Sequence, residues 1–544
     1  MTRATTFAIP YADAFARLSP GADPVIRPEA LSREQLLEAY HPDHGADARV
    51  PLRVGANRGE PCHPALARII EGNALIGDVD LVAVDPIATD VLVIGGGGAG
   101  SAATLAARAA GAEVILAAKL RIGDSSTVMA EGGIQAAIGE DDSLRRHFDD
   151  TMKGGHGAGF PQLVAQLVSD APDVIRWLIG LGVNFDLADG PAPGARLMRK
   201  RAGGTTAARI LSHRDFTGLE MMRVLREAVE LDRGVTVLNR SPVVELLSDE
   251  RGRCAGAVLY DLEHRAFRVV RAGAVVLATG GAGRLHLTGF ATSNHYGATA
   301  DGLALAYRMG ARLRDVDSFQ YHPTGIAWPP HLAGGLISEA VRSAGAKLVN
   351  GLGERFIDEL APRDVVTAAI LRECAEGRGV SRDGGLGVFL DTPALLAEKP
   401  DLLTTQLISL AHLAHRAGVD PAREPLMIYP TLHYQNGGVA IDRDGASSVP
   451  GLYCAGEVTG GIHGRNRLMG NALLDIFVFG RRAGTAAADH AGGVLPGRFG
   501  LEHVQRWQRE LSHAGMIDGP RSPVLYPGYG HFDLRGHMAG ANQG

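Results

Sequence analysis

Three segments of this chain set an imidazole or guanidinium inside short, distinctive motifs: Gln320-Tyr-His-Pro-Thr-Gly325, Pro430-Thr-Leu-His-Tyr434 and His463-Gly-Arg-Asn-Arg-Leu468. His322, His433 and Arg467 are thereby candidates for gripping an anion, because both groups offer directed N–H donors that match a carboxylate. Either histidine taken alone reads as a structural residue. A second chemistry is written in glycines. Gly95-x-Gly97-x-x-Gly100 follows the apolar run Asp90-Val-Leu-Val-Ile94 and opens an Ala-rich stretch reaching Ala110. There the first glycine permits a tight turn, the second lets a pyrophosphate approach the backbone, and the third lets helix pack on strand. The helix N-terminus then faces the anion.

The elements that must position these groups follow from the pattern around them. Strand, glycine turn, helix and the second apolar run Glu113–Ala117 form the opening of a dinucleotide-binding fold. The acidic residue expected after the second strand is missing, since Ala117, Ala118 and Lys119 stand there, and this tilts the ligand toward FAD. A second strand-to-glycine turn ends in Thr279-Gly280-Gly281, and a third runs Gly451-Leu-Tyr-Cys-Ala-Gly-Glu457. Together they suggest one nucleotide domain interrupted by an insertion. Residues 1–88 are Pro-rich and polar, with one helix expected to begin at the capping box Ser32-x-x-Gln35. Wrapping the body, docking a partner and partial disorder all remain open for this extension.

Composition narrows the function class. The 544 residues carry 54 Lys+Arg against 60 Asp+Glu, a formal charge of −6, with 45% hydrophobic and 21% charged residues. That is globular composition, and the length suggests about two to four domains. The 72 glycines are about twice the usual share, as several phosphate-binding turns would require. Aromatics are sparse and basic residues form no dense cluster, so a nucleic-acid binder is excluded. Cys62, Cys254, Cys374 and Cys454 are isolated, which argues against disulfides, a structural zinc and an iron–sulfur cluster within the chain. No apolar run is long enough to span a bilayer, and the N-terminus has no apolar core of signal type. A cytoplasmic protein is expected.

From about Asp90 to Ala488 the sequence resembles the fumarate reductase/succinate dehydrogenase flavoprotein family, which also includes L-aspartate oxidase. The resemblance is carried by the three motifs above together with Ser126-Thr-Val-Met-Ala-Glu-Gly-Gly133, Gly353-Glu-Arg-Phe356, Ala361-Pro-Arg-Asp-Val365 and Asn471-Ala-Leu-Leu-Asp475. It implies an α/β protein: a Rossmann-like FAD-binding domain at 89–317 and 431–488, interrupted by an inserted α+β capping domain at 318–430. The extension 1–88 precedes it, and a short C-terminal tail at 489–544, with a helix around Leu501–Leu511, follows. The resemblance further implies that His322, His433 and Arg467, with Ser338 as an added donor, grip the carboxylates of a C4 dicarboxylate. Joint placement in matching motifs favours this over structural histidines. By the same resemblance Arg363 protonates the substrate carbon next to the one that receives hydride from flavin N5, and is resupplied through Glu339 and Arg342. The FAD contacts implied are Gly95, Gly97, Gly100, Lys119, Ser126, Thr127, Gly132, Gly133, Thr279, Gly280, Asp301, Glu457 and Leu473.

Departures from the family carry information too. Respiratory members attach FAD covalently to a histidine where this chain has Ser126, so FAD is expected to be non-covalent and the reductive direction, fumarate to succinate, favoured. L-Aspartate oxidase is the main rival. Its branch places a Glu before a Gly-Gly pair where this chain has Ala202, and Asp475 stands where those oxidases tend to have Glu; both favour the dicarboxylate. A non-catalytic flavin-binding subunit is the other rival, against which the intact set His322, Arg363, His433 and Arg467 speaks. The C-terminal region is shorter than in respiratory relatives, which puts in doubt docking to an iron–sulfur subunit. The electron-transfer partner, and peripheral attachment to an inner membrane through it, stay open.

Overall fold

The computed structural model describes residues 8–525, apart from 19–23, 29, 46–47, 78–80, 82–84, 191, 193, 286 and 494–497. The part of the expected C-terminal tail beyond Leu525 lies outside the described residues. In chain order the elements that matter for the site begin with α1 (Arg33–Tyr40), β1 (Ile87–Ile94), α2 (Gly98–Ala109), β2 (Val114–Ala117) and β3 (Val235–Leu238). Next come β4 (Val243–Asp249), β5 (Cys254–Asp261), β6 (Ala266–Leu277), α3 (Asp301–Met309), β7 (Phe319–Ile326), α4 (Glu339–Ala344) and β8 (Lys347–Val349). Last are α5 (Arg363–Ala375), β9 (Gly385–Asp391), α6 (Ile408–Ala417), β10 (Leu426–Gln435), β11 (Leu452–Cys454), α7 (Asn471–Gly492) and α8 (Glu502–His513).

The first sheet runs β3-β2-β1-β6-β5-β4. β1 lies parallel between β2 and β6, with Val93 facing Leu116 on one side and Val276 on the other. The second half of β6 takes β11 as a further parallel neighbour, while its first half pairs antiparallel with β5. Val91-Leu-Val-Ile94 is buried throughout, because helices cover both faces of such a sheet and a continuous apolar run replaces alternation. β11 returns the chain to this sheet after more than a hundred residues spent elsewhere, which sets Glu457 beside the glycine turn that follows β6.

Those intervening residues build a second sheet, in which β7 pairs with β10, β10 with β9, and β9 with β8, all antiparallel. It lies in the segment where the family resemblance puts a capping unit, and β10 runs on through His433 to Gln435. Its core is Ile326, Leu348, Val366, Ile370, Leu390 and Ile428, closed over by α5.

The described part of the extension is woven into both units. Ile9–Pro10 adds a parallel strand to Val380–Ser381, and Val25–Ile26 does the same for Glu354–Arg355. α1 starts at a complete capping box, with Gln35 N donating to Ser32 Oγ at 3.3 Å and Ser32 N donating to Gln35 Oε1 at 2.9 Å. Its Leu36 and Leu37 are buried in the second core, worth roughly 1.5–3 kcal/mol each. Further along, Asn57 Nδ2 donates to Leu313 O at 2.9 Å, and Asn73–Ala74 pairs with Arg521–Ser522.

Candidate active site

A cavity of about 670 Å³ opens between the glycine turn of the first sheet and the ends of β7 and β10. Its deeper side is built for a dinucleotide. Gly95 adopts φ +121°, and a Cβ there would lie 2.1 Å from Ala278 O. Gly97 is the N-cap of α2 and offers no side chain to cover the helix start, so the first-turn region is left to a ligand anion. Gly100 stands behind the turn and does not line the cavity; a Cβ there would sit 1.8 Å from Gly95 O, so its role is helix-to-turn packing. Among the described residues, Gly280, at φ +74°, has nothing within 4 Å of a Cβ position, and the buried Thr279 hydroxyl has no hydrogen-bond partner. Thr127 Oγ1 accepts from Gly98 N at 3.2 Å, and Ser126 Oγ accepts from His295 N at 3.3 Å. Lys119 Nζ and Asp301 Oδ2 meet at 2.8 Å on the cavity wall, beside Thr299. Burial pushes Glu457 up to about 7, and its Oε1 accepts from Gln435 N at 2.9 Å. Gly132, Gly133 and Leu473 complete this wall. A side-chain-free turn, an open helix start and a partnerless hydroxyl fit FAD.

The other side of the cavity holds the anion-gripping groups. His322 and His433 come from adjacent strands, β7 and β10, with ring centroids 5.1 Å apart. Both are held well below the usual histidine range, by burial first and by the Arg363 charge second, so both are neutral near pH 7. Thr324 N donates to His322 Nδ1 at 3.3 Å, which leaves the ring proton on Nε2. His433 Nδ1 lies 2.7 Å from Ser293 Oγ. Arg467 lies over the Tyr434 ring at 4.5 Å, and burial, reinforced by Arg363, lowers its pKa to about 10. Its buried Nε has no hydrogen-bond partner among the described residues and stands as a donor beside the cavity. Ser338 caps α4 by accepting from Ala340 N at 3.3 Å and also lines the cavity.

Arg363, the first residue of α5, donates from Nε to Glu339 Oε2 at 2.9 Å and from Nη1 to Gln320 Oε1 at 2.9 Å. Arg342 stands outside the cavity wall and reaches Glu339 Oε2 at 3.4 Å. Glu339 also accepts from Gly203 N at 3.0 Å, so the loop carrying Ala202 closes against it. With both imidazoles neutral, Arg363, Arg467 and Arg342 bring three positive charges against Glu339 and the part-ionised Glu457 that faces Arg467. The resulting positive surplus suits a small anion such as a dicarboxylate.

The model of a family described as FAD binding domain matches residues 90–473. Relatives over most of the chain carry the names L-aspartate oxidase, fumarate reductase and succinate dehydrogenase flavoprotein. The chain belongs to the fumarate reductase/succinate dehydrogenase flavoprotein family. FAD is its cofactor. It is 38% identical to L-aspartate oxidase of Streptomyces coelicolor over 81% of this chain and 74% of that protein. It is 36% identical to the fumarate reductase flavoprotein of Mycobacterium tuberculosis over 74% of this chain and 70% of that one. Among solved structures, the quinol fumarate reductase of E. coli superposes with a TM-score of 0.71 at 31% identity, covering 79% of this chain and 74% of the other. Among the described residues of this flavoprotein, no helix is long and apolar enough to cross a membrane.

Gln320 stands at the head of its motif, and the sequence alone gave it no role. In the folded flavoprotein its carboxamide oxygen accepts from both Arg363 and Arg467, while Nε2 donates to Asn466 Oδ1 and to Arg467 O. The available signal was alternation: along β7, Gln320 and His322 point to the same face. Asp364, offered by its position as an ion partner for Arg363, instead binds His156, Arg33 and Asn466. Glu131, which lies inside the Ser126–Gly133 motif but was given no role there, is a further cavity residue. Burial together with the neighbouring Asp215 pushes it up to about 8.

Proposed function

We propose that the protein interconverts fumarate and succinate and works in the reductive direction. The observation that carries this reading is the convergence of Arg363 and Arg467 on Gln320, beside two neutral buried imidazoles, in a cavity continuous with the glycine turn. FAD bound on the glycine turn, Thr279 and Glu457 supplies a two-electron hydride donor. The protein's own part is to bind and protonate. Arg467, His322, His433 and Ser338 hold the two carboxylates, and the neutral imidazoles donate hydrogen bonds without adding charge. Arg363 has Nε and Nη1 engaged and makes no hydrogen bond through Nη2 among the described residues, so Nη2 is the nitrogen free to hand a proton to substrate carbon. Glu339 and Arg342 form the line along which that proton is restored.

Ser126 supports non-covalent FAD, and the lower flavin potential expected without a covalent link supports reduction over oxidation. Ala202 supports a dicarboxylate over aspartate, since the loop beside Glu339 offers no carboxylate for an ammonium. The electron-transfer partner stays open; in the respiratory branch of the family it is an iron–sulfur subunit.

The test is anaerobic. FAD on the purified protein is reduced chemically, then fumarate, succinate, aspartate and other enoates are added in turn. Fumarate should reoxidise it rapidly. Arg363→Gln should keep FAD yet slow this step by about 10²–10⁴-fold. In a separate aerobic assay of the oxidised protein, aspartate-dependent hydrogen peroxide release would replace the reading with the oxidase one, and in the anaerobic assay full turnover by Arg363→Gln would assign the proton to another acid.

A further inference from the structure

Asp364 is the meeting point of three distant chain segments. It follows Arg363 in the first turn of α5, where no side chain caps the helix. Its Oδ2 accepts from His156 Nε2 at 2.8 Å and from Arg33 Nη2 at 3.4 Å, and Arg33 Nη2 also lies 3.4 Å from His156 Nε2. Its Oδ1 accepts from Asn466 Nδ2 at 3.2 Å. Asn466 in turn binds Gly154 O and Gln320 Nε2, and Gln320 holds the guanidinium of Arg363. His156 belongs to the first-sheet unit, Arg33 to the N-terminal extension, and Asp364 to the second.

Two features set this junction apart from an ordinary surface ion pair. Asp364 is only 6% exposed, so losing a partner leaves a buried carboxylate uncompensated. His156 is held at φ +58°, a left-handed conformation that a non-glycine residue adopts only when its surroundings impose it. The extension is committed to the same helix at both ends. α1 lies along α5 with Arg33 at the start of α5, while Tyr40 OH donates to Glu376 Oε1 just past its end.

We propose that the extension is a positioning element of the reaction centre: Arg33 and His156 clamp Asp364, and so hold the first turn of α5 with Arg363 in place against Gln320. This rests on the reading of Arg363 as proton donor. Arg33 and His156 touch neither substrate nor FAD in it. They act through Asp364, and they tie the capping unit to the first-sheet unit at the point where the proton donor leaves the backbone.

The experiment uses full-length, FAD-loaded protein and the variants Arg33→Ala, Arg33→Lys, His156→Ala and the double Ala variant. Arg27→Ala, which removes a part-exposed pair with Glu354 elsewhere on the extension, is the control. Amide hydrogen exchange of residues 363–368, read without substrate, should rise about tenfold or more in the double variant, residues 372–375 should stay as in wild type, and the melting temperature should fall because Asp364 is left buried without its charged partners. kcat for fumarate should fall about tenfold or more with KM within about twofold, because a misplaced catalytic group lowers turnover rather than binding. Arg33→Lys should recover most of both effects, and Arg27→Ala should show neither. Unchanged exchange at 363–368, a uniform rise across α5, or raised exchange with unchanged kcat would each overturn the clamp. If wild type itself is not reoxidised by fumarate, the substrate reading falls, and exchange at 363–368 alone then upholds or overturns the clamp.

Discussion

Arg363 and Arg467 meet on one acceptor: Gln320 Oε1 takes a hydrogen bond from Arg363 at 2.9 Å and from Arg467 at 3.0 Å. Two guanidiniums so close repel, and the lowered pKa of Arg467 records it after burial. The carboxamide oxygen offsets that repulsion and fixes both forks, while its nitrogen is spent on Asn466 Oδ1 and Arg467 O.

Gln320→Leu keeps the volume but removes the acceptor. We expect FAD absorbance to be retained and kcat/KM for fumarate to fall about 100-fold, the scale of a misplaced catalytic group. A loss under about threefold would mean the two arginines are positioned without it.

Gly100→Ala should abolish FAD binding although residue 100 does not line the cavity. The new Cβ would stand 1.8 Å from Gly95 O, and either the turn or α2 must move to relieve it. Purified variant carrying a normal flavin spectrum would contradict this.

His147 is fully buried, and burial lowers its pKa to about 4. The unfolded chain binds a proton there below about pH 6.5, whereas the folded chain resists until about pH 4, so this group's contribution is present above 6.5 and lost as pH falls through that window. His147→Gln cannot titrate but can still donate to Asn471 Oδ1, which the ring nitrogen reaches at 3.0 Å. Between pH 7.5 and pH 5 wild type should therefore lose about 2 kcal/mol more stability than the variant. Comparing the two also cancels groups of opposite sign, such as Asp43 and Glu131, raised by burial to about 7 and about 8. Equal losses in denaturant midpoint at the two pH values would refute a neutral His147.

Leu36→Ala tests whether the extension is part of the second core. Leu36 is 1% exposed against α5, so truncation should cost about 2–5 kcal/mol. Denaturant unfolding measures it, and a cost below about 1 kcal/mol would make α1 a loosely attached helix.

The parts of this protein that depend on neighbours in the chain were written in the amino acids. The turn from Gly95 to Gly100 needs only local backbone freedom, the start of α1 needs only Ser32 and Gln35, and His322, His433 and Arg467 stood out within short motifs. Family membership and FAD followed from the same local patterns. Other properties came only with the packing of the two sheets. Gln320 became a double acceptor because β7 brings it level with α5 and the start of α7. Asp364 binds His156 and Arg33 while Glu339, not its chain neighbour Asp364, takes the Arg363 guanidinium. The described part of the extension, open to several readings as a polar segment, is held by edge strands and by Leu36 and Leu37 packing in a core built hundreds of residues later. Periodicity and capping act over a few residues and are legible in sequence. A hydrogen bond or ion pair between remote segments exists only once burial has decided which groups lose water together, and that is a property of the folded whole.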